Sequence, residues 1–310
     1  MKKIFALAVV AAAAAPAFAQ SSVTIYGRLN VTAESVKIGS AKEDNMLNNN
    51  ASRIGFKGVE DLGGGLKAGF QLEHGLDPTD GQASGGSRFW NRHSELWLGG
   101  NWGTVRMGYW FPETYMATAD YISMHNHDTG RSADQFYVGT FATNRVGYRT
   151  PKFGAFQAEV DVAEGKVYNL SGTASFGRYE FGAGYSQADG ADKQFALRGN
   201  ATFGAFTVGA YYQRAQDWTL LGDRDSYRLA GMYTMGAFEF HANVGFAGEW
   251  SNVTDSDATQ YTLGVNYNLS KRTKVYGYYS EVNNKAAAAY LSGIAGADSK
   301  SFAVGVRHNF

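Results

Sequence analysis

Apolar and polar side chains alternate along most of this chain, beginning at Val23. A repeat of two residues places one class of side chain on each face of a β-strand. The same alternation returns in the segments that begin at Leu66 and Phe156, and it continues nearly to the C-terminus. The pattern therefore predicts an all-β protein. In the first segment the apolar positions are Val23, Ile25, Leu29 and Val31, and the polar positions are Thr24, Tyr26, Arg28, Asn30 and Thr32.

Many of the later segments begin or end on an aromatic residue, as Phe195–Phe203 and Phe238–Phe246 do. Aromatic rings at strand ends are typical of a bilayer interface. Very short connections, such as residues 177–178 and 204–205, alternate with longer polar ones, which is the pattern of outer-membrane barrels. The chain holds about sixteen such segments, each near the ~10 residues that a tilted spanning strand needs.

A water-soluble β-sandwich is the alternative fold, because its strands also alternate. It fits less well, since the polar face carries glycine, threonine, asparagine and arginine in register across the segments. A closed barrel also satisfies every backbone polar group within lipid. We therefore expect a transmembrane antiparallel β-barrel.

The start of the chain has the pattern of a secretory signal peptide. Two lysines precede an apolar run over residues 4–15, and small residues follow at Ala17–Ala19. An N-terminal membrane anchor is the alternative, but the run is shorter than the ~20 residues of a spanning helix, and Pro16 interrupts it. We expect residues 1–19 to be removed during export to the periplasm, which leaves one barrel domain over residues 20–310.

Composition excludes several classes of function. Basic and acidic side chains number 28 each, so the chain has no net basic field that would bind nucleic acid. An exported chain without cysteine has neither a disulfide scaffold nor a thiolate metal site. His125 and His127 stand beside Asp128, but the sequence offers no companion ligand for zinc. We expect no metal, no cofactor and no enzymatic activity, since no serine-hydrolase elbow is present.

Five segments carry more information than alternation alone. They are Val23–Arg28, Ser52–Ala68, Gly103–Gly108, Ser270–Tyr276 and Gly305–Phe310. These segments resemble the general porins of β-proteobacteria, including the neisserial type, and the resemblance covers the whole mature chain. It implies a sixteen-stranded barrel in the outer membrane, assembled as a homotrimer, with a long third extracellular loop folded inward to narrow a water-filled pore.

The terminal Phe310 resembles the signal by which the barrel-assembly machinery recognises such chains. An aromatic residue at the end of the last strand also suits the interfacial girdle, and both interpretations can hold together.

Two features depart from the family pattern. The residues after Gly108 are aromatic, where the family usually has an arginine. The strand that contains Glu95 alternates poorly, because Glu95 shares a face with Trp97. The aromatic run Tyr109–Phe111, together with Trp90, belongs either to the girdle or to a stacking surface for a ring-bearing solute.

If the apolar side chains face lipid, their polar neighbours project into the lumen. Basic residues outnumber acidic ones at those positions, and a charged lining concentrates counter-ions in a confined pore. The resemblance points to Arg28, Arg53 and Arg92 as part of the basic wall at the constriction. The alternative for each arginine is a structural ion pair with a neighbouring carboxylate. The predicted basic wall comprises Arg28, Arg53, Lys57, Arg92, Arg106, Arg145, Arg198 and Lys274.

The segment from Phe111 to Thr143 is the longest stretch without alternation, and loops of that length are usually functional. Folded into the barrel, its carboxylates would stand opposite the arginines and create a transverse field. In the alternative arrangement they face external water. The predicted loop acids are Glu113, Asp120, Asp128 and Asp134.

The sequence thus predicts a general diffusion porin of the outer membrane that passes small hydrophilic solutes and ions and prefers anions. A channel specific for small carboxylates or sugars is the second candidate. A barrel whose loops at residues 77–87, 250–258 and 283–299 bind host or phage partners is the third, and an outer-membrane esterase is the enzyme alternative. The expected partners are further copies of the chain, outer-membrane lipid and the permeating solutes.

Overall fold

The computed structural model describes residues 22–310 except residues 42, 85, 123–129, 140, 189 and 191. The predicted leader, residues 1–19, therefore lies outside the described residues, as do Asp128 and the two histidines beside it. In the part of the chain that is described, no helix is long and apolar enough to cross a membrane.

Strands make up most of the described chain, as the alternation predicts. The helical elements among the described residues are α1 (Glu113–Met116) and a 3-10 turn (Ala119–Tyr121). The strands are β1 (Ser22–Ile38), β2 (Asp44–Asn49), β3 (Arg53–Gly63), β4 (Leu66–Gly75), β5 (His93–Gly100), β6 (Gly103–Trp110), β7 (Thr143–Arg149), β8 (Phe156–Ala163), β9 (Val167–Phe176), β10 (Tyr179–Gln187), β11 (Lys193–Phe203), β12 (Phe206–Trp218), β13 (Gly222–Met235), β14 (Phe238–Ala247), β15 (Ala258–Asn268), β16 (Thr273–Asn284) and β17 (Ser299–Asn309).

The first and last strands pair with each other and close the sheet into a barrel. β1 and β17 run antiparallel over most of their length. Gly27 and Phe310 extend this pairing through two backbone hydrogen bonds of 3.0 and 3.1 Å. The short strand β2 and the strand β3 both pair with β1 and form one interrupted spanning strand, so 16 strands surround the lumen. The predicted antiparallel barrel and its strand number are confirmed.

The outer face of the barrel is apolar. Its side chains are open to the surroundings, and Val23 and Leu263 are 65 % and 60 % exposed. Aromatic rings from neighbouring strands meet near the strand ends, as Phe206 and Tyr233 do with centroids 4.6 Å apart. An apolar band flanked by aromatic residues is the lipid-facing surface of an outer-membrane barrel.

Very short turns join the strands at one end of the barrel. Gly177, Gly204 and Gly236 occupy these turns with φ of +62°, +60° and +61°. Glycine adopts this left-handed conformation without steric cost, which allows the chain to reverse within two residues. The longer connections lie at the other end, so the predicted division into short turns and long loops is confirmed.

The inner face is polar, and the segment between β6 and β7 packs against it. The parts of this segment that are described are residues 111–122 and 130–139. Thr114 and Ala117 approach the wall at Gly184 and Gly182, where an added Cβ would collide with them. Wall positions without a side chain therefore make room for the segment.

The lipid-facing assignment of β15 predicts the effect of a charge at its centre. A Leu263→Arg substitution places a cation near the bilayer midplane, which costs roughly 2–4 kcal/mol in barrels of this kind. Urea unfolding in phospholipid vesicles measures that loss. Leu220→Arg is the control and should leave the free energy of unfolding unchanged, because Leu220 is 87 % exposed between β12 and β13. Equal effects of the two substitutions would contradict the assignment.

Candidate functional site

A cavity of about 850 Å³ lies between the wall and the segment that joins β6 to β7. The wall contributes Arg53 from β3, Glu73 from β4 and Arg92 just before β5. A second cavity of about 540 Å³ adjoins α1 from the side of β8 and β9, and Glu113 and Asp120 line both cavities. Polar space thus continues past α1 along the lumen.

Glu73 orients two arginines on the wall side of the larger cavity. Arg92 Nε donates to Glu73 Oε1 at 2.7 Å, and Arg53 Nε lies 3.9 Å from the same oxygen. The Arg92 guanidinium also lies 5.3 Å from the centre of the Phe111 ring, a favourable cation–π contact. The side chains of Arg53 and Arg92 are 22 % and 20 % exposed, so both remain within reach of a solute in the cavity.

The carboxylate of Glu113, at the start of α1, binds two arginines of the wall. Arg106 Nη1 donates to Glu113 Oε1 at 2.9 Å, and Arg149 donates to the same oxygen. Arg106 also contacts Glu95 at 2.6 Å and Glu159 at 3.0 Å. Charged groups in such a buried position are tolerated when they are paired and hydrogen-bonded. The cluster therefore ties the start of the segment to the wall formed by β5 to β8.

Asp134 fixes the later part of the segment. Its carboxylate accepts hydrogen bonds from Arg228 Nη2 at 3.1 Å and from the Tyr211 hydroxyl. The Arg228 and Asp134 side chains are 0 % and 6 % exposed. Burial raises the pKa of the Tyr137 phenol, which stays protonated and donates to the Thr114 carbonyl at 3.1 Å. The two described parts of the segment are thus bonded to each other and to β12 and β13.

Arg131 enters the larger cavity from the segment rather than from the wall. Its side chain is 19 % exposed, and its Nε lies 3.8 Å from Glu34 Oε2 on β1. Arg53, Arg92 and Arg131 therefore face one cavity from two sides. Arg131 is not among the predicted basic residues, because it stands in a stretch without the alternation that assigned the other arginines to the lumen.

Four of the predicted basic residues are buried within the wall. The Arg28 guanidinium donates to the backbone carbonyl oxygens of Asn50 and Ala51 at 3.2 and 3.1 Å. Such charge-assisted hydrogen bonds hold β1 against the chain between β2 and β3. Carboxylates lie near the other three guanidinium groups, Asp161 beside Arg145 at 3.0 Å being the clearest case. The exposed fractions are 2 % for Arg28, 5 % for Arg106 and Arg145, and 6 % for Arg198.

The remaining predicted residues lie farther along the lumen. Lys57 Nζ is 5.2 Å from the centre of the Tyr26 ring, and Lys274 binds Glu239 at 3.2 Å. Of the predicted loop acids, Glu113, Asp120 and Asp134 border the larger cavity, whereas Asp128 lies outside the described residues. The described residues contain no group of three or more His, Asp and Glu side chains that could hold a metal ion.

Among the described residues, basic side chains outnumber acidic ones when the inner face of the strands, Arg92 and the segment between β6 and β7 are counted together. The basic set is Arg28, Arg53, Lys57, Lys67, Arg92, Arg106, Arg131, Arg145, Arg149, Arg198, Arg224, Arg228, Lys274 and Arg307, and the acidic set is Glu34, Asp44, Asp61, Glu73, Glu95, Glu113, Asp120, Asp134, Glu159, Asp161, Glu180 and Glu239.

Known proteins with similar sequences agree on one family. The sequence profile of the Gram-negative porins matches residues 6–287. The chain is 33 % identical to outer membrane porin protein 32 of Delftia acidovorans, over 100 % of this chain and 99 % of that protein. The chain belongs to the Gram-negative porin family. This porin is accordingly a protein of the outer membrane, as the sequence predicts.

Other relatives of this porin agree with that assignment. Major outer membrane protein P.IB of Neisseria meningitidis serogroup B is 27 % identical, over 96 % of this porin and 97 % of that protein. The structure of an anion-selective porin from Comamonas acidovorans matches with a TM-score of 0.81 at 27 % identity, over 94 % of this porin and 100 % of that chain. OmpT of Vibrio cholerae, in its trimer form, shares the fold with a TM-score of 0.71 at 18 % identity, over 94 % and 99 % of the two chains.

The buried pair between Asp134 and Arg228 predicts how the segment responds to its loss. An Asp134→Ala substitution leaves the Arg228 guanidinium buried without this carboxylate, a change that typically costs about 3–5 kcal/mol. We expect amide hydrogen exchange within residues 130–139 to accelerate on the order of a hundredfold or more, with the barrel strands still protected.

Asp225→Ala is the matched control for this prediction. Asp225 pairs with Arg214 at 3.0 Å, but their side chains are 43 % and 34 % exposed, and such pairs contribute about 0–1 kcal/mol. Unchanged exchange within residues 130–139 of the Asp134→Ala variant would show that the pair does not hold the segment.

Proposed function

We propose that this porin is a general diffusion channel for small hydrophilic solutes and ions that favours anions. The observation that carries the proposal is the convergence of Arg53, Arg92 and Arg131 on one polar cavity inside the barrel. Positive groups that line a confined aqueous path raise the local concentration of anions. The description of the Comamonas relative as anion-selective supports the same conclusion.

We further propose that the segment between β6 and β7 is an inward-folded third extracellular loop that narrows the pore. Its ion pairs with wall arginines and its close approach to Gly182 and Gly184 support this position. Carboxylates on the segment and arginines on the wall then set up a field across the constriction. A polar solute aligns with such a field, and an apolar solute is disfavoured.

We also propose how the chain is exported, inserted into the membrane and assembled. Residues 1–19 act as a leader for export, residues 20–310 form the barrel domain in the lipid of the outer membrane, and the barrel-assembly machinery inserts it. The functional unit is a homotrimer, a state that is also described for the OmpT relative. The chain acts as a channel without enzymatic activity and without a cofactor, in keeping with its family.

A channel specific for ring-bearing anions is the second candidate function. Phe111 and Tyr115 line the same cavity as Arg92, so a ring and a carboxylate of one solute find matching surfaces there. Single-channel current that saturates with an aromatic carboxylate, but not with chloride, would favour this candidate. A current that rises in proportion to salt concentration favours general diffusion.

The arginine cavity predicts the selectivity of charge-removing variants. In planar bilayers with a salt gradient, Arg53→Gln and Arg92→Gln should each make the channel less anion-selective. The reversal potential should move away from the value of a channel permeable to anions alone, because each substitution removes a positive charge from the permeation path. The shift should be largest at 0.01–0.1 M salt, where the screening length is about 10–30 Å, and should fade at 1 M, where it is about 3 Å.

Arg214→Gln is the matched control for those variants. Arg214 is paired with Asp223 and Asp225 near the end of β12 and does not border the cavity. Its loss should leave the reversal potential at the wild-type value. Cation selectivity of the wild-type channel, or wild-type selectivity of both cavity variants, would contradict the proposal.

The contact between Phe310 and Gly27 predicts a role for the last residue in assembly. The Phe310 ring covers Gly27, where any side chain would collide with the ring and with the Arg53 carbonyl. A Phe310→Ala substitution should lower the yield of heat-resistant folded barrel several-fold, as scored by gel mobility without boiling. Phe302→Ala should assemble normally, because Phe302 is a lipid-facing ring, 58 % exposed, on β17, the strand that Phe310 follows. Equal yields of the two variants would show that Phe310 has no special role in assembly and acts only as an aromatic residue of the girdle.

A further inference from the structure

The connection between β16 and β17, residues 285–298, packs against the segment that carries Arg131. We propose that this connection positions Arg131 at the cavity and thereby sets the ion selectivity of the channel. The inference rests on the proposed function, since it concerns an arginine of the permeation path. It assigns a selectivity role to a second loop, at a site far from Arg53 and Arg92 in the sequence.

The connection is folded upon itself and fixed to the end of β16. Asn284 Nδ2 donates to the carbonyl oxygens of Tyr290 and Ala297 at 3.0 and 2.7 Å, and Tyr290 N donates to Asn284 Oδ1 at 3.1 Å. Gly296 N donates to the Ala288 carbonyl at 2.8 Å. These bonds give the connection a defined shape.

Tyr290 joins the connection to the segment and to the wall. Its ring meets the Phe136 ring edge-on, with centroids 5.0 Å apart and an angle of 85°. Phe136 is fully buried and packs with Val282 and Ala288 in one apolar cluster. Arg224 of β13 donates to both the Tyr290 hydroxyl and the Phe136 carbonyl. A wall arginine thus clamps the connection to the segment.

Arg131 has one acceptor on the connection and one at the start of β17. Arg131 Nη1 donates to the Leu291 carbonyl at 3.0 Å and to Ser299 Oγ at 3.0 Å. Leu291 has a φ of +57°, a left-handed conformation that leucine rarely adopts. Because such a conformation persists only where the surroundings impose it, the packing of the connection fixes the direction of the Leu291 carbonyl. Leu291 itself lines the cavity beside Arg131.

Arginine has a long side chain with many rotamers, so its charge occupies one place only when its donors are held. Glu34 on β1 and the Ser299 hydroxyl at the start of β17 limit the movement of the guanidinium from the wall, and the Leu291 carbonyl limits it from the connection. Release of the connection therefore removes one of the three contacts that hold the charge at the edge of the cavity, while the residue itself is still present.

The test uses the full-length channel in planar bilayers, with Tyr290→Ala as the releasing variant. The control is Ile294→Ala in the same connection, where the side chain is 60 % exposed. Tyr290→Phe keeps the ring contact with Phe136 but loses the hydrogen bond from Arg224, so it should cause a smaller shift than Tyr290→Ala. Tyr290→Ala should shift the reversal potential toward that of an Arg131→Gln variant, and single-channel conductance should rise as the connection leaves the cavity.

A double variant separates positioning from a general loosening of the barrel. In an Arg131→Gln background, Tyr290→Ala should cause no further shift of the reversal potential, because the charge that it releases is already gone. Additive shifts, or wild-type selectivity of the Tyr290→Ala channel, would overturn the inference. A wild-type channel without anion preference would instead overturn the proposed function, so the two failures are distinguishable.

Discussion

The pairing of β1 with β17 is the constraint on which the rest of this porin depends. In lipid every backbone N–H and C=O group must find a partner within the protein, and a sheet achieves this only when it has no free edge. Closure then fixes the two faces of every strand, since successive side chains point in opposite directions. The apolar set meets lipid, and the polar set, including nearly all of the arginines discussed above, is confined to the lumen.

Two groups of arginines inside the barrel differ in their contacts. Arg106, Arg149 and Arg228 bind carboxylates of the segment between β6 and β7, and they hold it against the wall. Arg53 and Arg92 share Glu73 at the cavity and keep part of their surface exposed. The same residue type therefore holds the segment against the wall and lines the cavity beside it. Arg106 and Arg228 are 6 % and 0 % exposed, so their pairs are costly to break. Arg53 and Arg92 are 22 % and 20 % exposed and can still meet an ion.

Much of the fold could be predicted from the sequence, because closure makes the alternation nearly regular. The strand number, the short glycine turns and the strand-free stretch after Trp110 all follow from periodicity. The position of that stretch in space does not, since it depends on ion pairs between residues far apart in the chain.

Periodicity could not predict how deeply each lumen arginine is buried, because it shows which face of the strand a side chain occupies and not how much of that side chain is exposed. Arg28 and Arg53 alternate equally well, yet one is buried beneath the chain around Asn50 and the other borders the cavity. The poor alternation at Glu95 has a local reason: Glu95 binds Arg106, and Trp97 covers Gly69 on the same inner face. Trp110 also lies on the inner face, 1 % exposed between Arg106 and Arg145 rather than in the girdle.

We infer above all that ions cross this porin through the cavity bordered by Arg53, Arg92 and Arg131. The chain has no cysteine, so a single Asn48→Cys substitution gives a unique reactive thiol in the lining of that cavity. A bulky polar methanethiosulfonate reagent added to an open single channel should then reduce its current in discrete steps, one for each modified pore, while the cysteine-free parent is unaffected. Complete modification, established by mass, with an unchanged current would contradict the claim.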